Sequence, residues 1–124
     1  MLKNIITVFV VFLSLTACSV FETSEATHML SGQVYPAILP ENVSIYIQKP
    51  GFEYVVIGIV EARGIGFTNE ARDQELAIQA LKREASSIGA NGVIISESTQ
   101  QIASISKHGT STERRIKGFA IRLP

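Results

Sequence analysis

The side chains able to do chemistry are few and far apart. The chain of 124 residues carries one cysteine, Cys18, two histidines, His28 and His108, and one aspartate, Asp73. A nucleophilic serine needs a base and an orienting carboxylate within hydrogen-bond reach. That base and carboxylate would have to be His108 and Asp73. None of Ser86, Ser87, Ser96, Ser98, Ser104 or Ser106 sits in a G-x-S-x-G elbow. A zinc site takes about four His, Cys or acidic ligands, whereas the two histidines fall in segments that read as a tether and a loop. "GIGF" at 64–67 precedes a helix and offers backbone N–H groups to an anion, but the full glycine fingerprint and a following Lys-Ser/Thr are missing. The reading is therefore of no catalytic residue, no metal ligand and no cofactor. One local charge bias remains, in Lys107, His108, Arg114, Arg115 and Lys117, which are candidate contacts for a partner.

Cys18 has a different context. Lys3 gives a positive start, and residues 5–15, "IITVFVVFLSL", are almost wholly apolar before the small residues Thr16 and Ala17. This is the layout of a secretory signal. It is shorter than the roughly 20 apolar residues that span a bilayer. "LTAC" at 15–18 resembles the bacterial lipobox, in which a diacylglycerol is joined to the cysteine sulfur and cleavage falls between Ala17 and Cys18. Several acyl chains hold a protein firmly, at about 0.8 kcal/mol per buried CH₂, where one chain is marginal. Ser19, rather than Asp, follows the cysteine. In Gram-negative lipoproteins this points to the outer membrane facing the periplasm.

Removal of residues 1–17 leaves a chain of one-domain size. It carries ten basic and eleven acidic side chains and no free thiol once Cys18 is acylated. Such balance gives no pull toward nucleic acid, and the domain must fold on its core without disulfides. The expected organisation is a leader at 1–17, a lipidated N-terminus and polar tether at 18–32, and a single α+β domain at 33–124.

Within the domain, "NVSIYIQK" alternates and predicts a half-buried strand with Val43, Ile45 and Ile47 inward. A "KPG" turn at 49–51 leads to "YVVIGIVEA" at 54–62, a β-branched run that predicts a well-covered strand paired with the first as a hairpin. Gly58 in mid-strand marks a bulge or a close approach. Thr68 or Asn69 is placed to cap a helix over about 70–88, with Glu70 and Asp73 at its positive end. Ile78, Leu81, Ala85 and Ile88 form its apolar stripe, Gln79, Lys82, Arg83 and Ser86 face away, and Gly89 ends it. Asn91-Gly92 then turns into a buried strand at 93–95. Residues 99–117 read as an extended hairpin arm with its tip near 108–112, and 115–123 as the last strand, with Phe119, Ile121 and Leu123 on one face. The order β-β-α-β-β predicts an antiparallel sheet of about four strands packed on one helix.

"ALKREASSIGANGVIISES" at 80–98 resembles the helix-to-strand junction of small bacterial envelope lipoproteins of the RcsF type and of the related YbjQ-like domains, which carry a heavy-metal-binding label. Ala85, Gly89, Ala90, Asn91 and Val93 carry the likeness, and "GFAIRL" at 118–123 is similar to the closing strand of such lipoproteins. The resemblance implies a membrane-anchored, non-enzymatic interaction domain for envelope stress sensing or maintenance, with a protein partner in the envelope. Its alternative is a small-ligand or metal-binding domain that forms homo-oligomers. RcsF-like sensors hold disulfides in the globular domain, and this domain has no cysteine to form one. Small residues at such a junction also serve close packing. The arm at 99–117 is the candidate contact surface, because an unpaired strand edge can recruit another strand.

Overall fold

A computed structural model describes residues 23–66, 70–107 and 109–124. Five strands and one helix follow in order: β1 (Thr23–Leu30), a 3₁₀ turn (Pro40–Asn42), β2 (Ser44–Tyr46), β3 (Val55–Gly66), α1 (Glu70–Ser87), β4 (Gly92–Ser106) and β5 (Gly109–Arg122). The fold is α+β, and the strands lie in the order β1-β3-β5-β4-β2. The contacts β1–β3, β3–β5 and β4–β5 are antiparallel, and β2–β4 is parallel. The sheet is therefore mixed and five-stranded, not antiparallel and four-stranded.

Three differences from expectation share one cause. The β4–β5 hairpin is long enough to sit in the middle of the sheet, so β3 pairs with β5 and β1 instead of β2. The run at 43–48 then has only the start of β4 to join, and its strand ends at Tyr46. Val43 is buried as expected, but Ile47 is 83% exposed. The segment at 23–30, expected in the tether, fills the edge of β3 as β1.

The helix packs across one face. Ile57, Val60, Ala62, Ala77, Leu81, Ala85, Ile88, Val93, Ile116 and Ala120 form a single buried cluster there. Contact is close because β3 carries glycine beneath the first turns of α1: a β-carbon on Gly64 would stand 2.4 Å from the Asp73 carbonyl oxygen. Gly64 and Gly66 thus lie inside β3 and are not part of an anion-cradling loop. Gly58 does mark a bulge, and the backbone it approaches is that of Met29 in β1. Gly89 has φ +82°, the left-handed helix ending that its type predicts. Ser86 is buried rather than outward, because the 33–39 segment crosses this end of α1 and Ile38 N–H donates to the Ser86 carbonyl at 2.9 Å. The proposed caps Thr68 and Asn69 lie outside the described residues.

Candidate functional site

Strand alternation puts every second residue on the face that α1 leaves uncovered. Near the start of β1 that face is charged. Arg63 reaches Glu25 Oε2 through Nε at 3.0 Å and Nη2 at 2.5 Å, and Glu113 Oε1 through Nη1 at 3.3 Å. Glu113 Oε2 also accepts from Gln101 Nε2 at 2.6 Å and from Arg115 Nε at 3.3 Å. The Glu113 side chain is only 4% exposed. Burial would raise its pKa, but the Gln101 hydrogen bond and the Arg115 and Arg63 charges outweigh burial and hold it below the ordinary glutamate value. Next along the sheet, Lys117 stands in register between Glu61 and Glu97.

The other half of the same face is apolar. Met29, Ile59, Phe119 and Ile94 form a row across four strands. Met29 is 70% exposed, and Phe119 and Val56 are exposed as well, while the exposed Val55 pairs with Arg122 and turns to the other face. The run at 54–62 is therefore bare at Val56 on this face and at Val55 on the other, and α1 covers only its later residues. Beyond this row, Tyr46 and Phe52 meet edge to face at 6.4 Å. A groove of about 580 Å³ opens among Tyr35, Phe52, Tyr54, Val55 and Leu123. Its cation is fixed: the Arg122 guanidinium lies 4.8 Å from the Tyr35 ring centre and donates to the Gly89 carbonyl at 2.7 Å.

No family model and no curated protein matches the chain. A solved structure does: that of the Francisella virulence factor FvfA, with a TM-score of 0.54 and 18% identity over 79% of this chain and 99% of that one. At this identity the likeness is one of fold alone.

The structure separates the residues that the sequence grouped. Lys107 is exposed at the arm tip, and His108, Ala17 and Cys18 lie outside the described residues. Arg115 and Lys117 are on the open face. Arg114 is on the opposite face, where Nη1 donates to Ser98 Oγ at 3.3 Å. His28 is not in a tether but in β1, with Nδ1 2.5 Å from Glu84 Oε1 on the helix. Asp73 is fully buried at the start of α1. Its Oδ2 accepts from Gln100 Nε2 at 2.9 Å and from Thr112 Oγ1, which ties the helix to both strands of the arm. Asp73 Oδ1 and Gln100 Oε1 have no hydrogen-bond partner among the described residues. No group of three or more His, Cys, Asp or Glu among them is placed to hold a metal ion, and no helix among them is long and apolar enough to cross a membrane.

Sequence reasoning missed Glu25, Arg63 and Glu113, and the exposure of Val55 and Val56. The alternation in "STERRIK" at 111–117 does separate Glu113, Arg115 and Lys117 from Arg114 and Ile116. Glu25, the partner of Arg63 on β1, stayed hidden because the strand itself did.

Proposed function

We propose that this chain is a bacterial envelope lipoprotein, acylated on Cys18 after removal of residues 1–17. In this reading it displays a non-enzymatic domain that holds an envelope protein against the apolar half of its open sheet face. The observation that carries the reading is the direction of the fold relative to the cysteine. The chain enters the sheet at Thr23, five residues after Cys18, beside the charged half of the face. The exposed Met29, Val56 and Phe119 lie toward the opposite end of that face, away from Thr23. Exposed apolar patches on a small domain mark interaction sites. The RcsF-type resemblance of residues 80–98 supports a role in envelope stress sensing or maintenance, and Ser19 supports the outer membrane as the destination.

Two measurements test this. Metabolic labelling with an alkyne fatty acid should tag the protein, and Cys18→Ser should abolish the tag; labelling that survives the substitution removes the anchor. A photo-crosslinker at Phe119 in intact cells should give one dominant protein adduct that Val56→Asp eliminates. Adducts of equal yield from a crosslinker at Gln79, on the outer side of α1, would take the open face out of consideration.

A further inference from the structure

The arm lies at the same end of the sheet as the chain entry. Thr23 is opposite Ile65 on β3, and Ile65 is opposite Glu113 on β5. The last β3 pair is Gly66 with Thr112, and past it only β4 and β5 continue, as a two-stranded ribbon. Four residues separate Glu113 from Gly109, so the ribbon runs about 13 Å beyond the level of Thr23, at roughly 3.3 Å per residue. The five-residue step from Cys18 to Thr23 spans at most about 18 Å. The ribbon thus covers most of the distance that the linker can open between the domain and an acyl chain on Cys18.

Its surface suits that position. Ile102 is 60% exposed and Ile105 is 76% exposed. A register shift between Ile102 and Ser104 leaves Ala103 unpaired. The bulge puts Ile102, opposite Thr112, and Ile105, opposite Thr110, on the same side of the ribbon. Without it, Ile105 would turn to the other side. Lys107 follows at the tip, exposed. Two isoleucines side by side, with threonine opposite each and a lysine at the end, fit an anionic lipid surface: apolar groups enter the headgroup boundary and the cation stays at the phosphates. The Asp73 bonds to Gln100 and Thr112 hold the ribbon root against α1, so its aim is set by the domain.

We infer that the β4–β5 arm is a second membrane contact, resting its Ile102–Ile105 side on the bilayer that holds Cys18, and that it fixes the orientation of the domain on the membrane. The inference rests on the acylation proposed above. Its test uses the full chain, expressed with its leader and reconstituted in vesicles of phosphatidylethanolamine and phosphatidylglycerol. Acylation occupies the sole native thiol, so Ile105→Cys offers one site for a fluorophore. Glu53→Cys, at the opposite end of the sheet, is the reference. Nitroxide lipids labelled near the headgroup should quench the fluorophore at 105 severalfold more than the one at 53. Thr110→Cys, opposite Ile105, should repeat the result if the first variant perturbs the arm. Equal lipid quenching at both ends overturns the inference. So does a fluorophore at 105 shielded from both lipid nitroxides and aqueous iodide, which would mean that protein covers the arm. Failure of the anchor itself reads differently: the fluorophore then attaches to Cys18, intact mass shows no acyl chains, and both proposals fall.

Discussion

The two faces of the sheet are built on opposite terms. On the covered face, glycine and alanine bring α1 within contact distance of β3, and buried aliphatic groups leave no slack. On the open face, side chains stand apart in solvent, joined by ion pairs at one end and bare at the other. The first face holds the molecule together. The second is freer to change, except where Ile94, Ile121 and Glu113 are buried on it, and of these Glu113 is charged.

The largest effect should come from Gly64→Ala. Its β-carbon would meet backbone atoms of Asp73 and Ala77 at 2.4 and 2.7 Å, so the helix must move, at a cost of about 3 kcal/mol. Urea unfolding checks it, and a change under 1 kcal/mol would mean that the helix–sheet contact is loose. Leu81→Ala empties a fully buried site and should cost about 2–4 kcal/mol. Asp73→Ala strands Gln100 and Thr112 and should cost about 1–3 kcal/mol. Hydrogen exchange should quicken at the arm root in this variant before it does elsewhere.

On the open face the expected effects shrink. Glu113→Gln should destabilise at neutral pH. The folded-state pKa of Glu113 is depressed below its ordinary value of 4.5. Its contribution is therefore present above that value and lost as pH falls through the lower folded pKa. The stability gap between wild type and Glu113→Gln, measured from urea midpoints, should hold at pH 7 and narrow below about pH 4.5. A pH-independent gap would assign the effect to packing. Phe119→Ser should change stability by less than about 0.5 kcal/mol while reducing capture of the envelope protein proposed above. A large loss of stability instead would make the apolar row part of the core and blur the contrast between the faces.

The covered face was the more legible of the two. The apolar step of Ile78, Leu81, Ala85 and Ile88 located the helix stripe, and Gly89 located its end, because burial and backbone conformation leave their mark on residue type. The bulge at Gly58 and the long terminal hairpin were legible for the same reason. β1 was not. Its helix-side residues are Ser24, Ala26, His28 and Leu30, and polar contacts to Arg83 and Glu84 replace the apolar alternation of a strand. The parallel β2–β4 pairing was hidden too. A turn signal shows that the chain reverses, but not that two strands of a later hairpin will enter between its halves. Of the candidate site, Arg115 and Lys117 were found and Glu113 was not, since two of its partners, Arg63 and Gln101, came from β3 and β4.

The place where β1 joins the sheet also decides how the domain bears load. Its hydrogen bonds to β3 run perpendicular to the strands, and under the acylation proposed above tension would enter the sheet at Thr23, the outer end of β1. A pull between Cys18 and the domain therefore loads the β1–β3 bonds together, in shear, rather than peeling them one at a time. Pulled along β1, the molecule should resist until the whole strand slips at once.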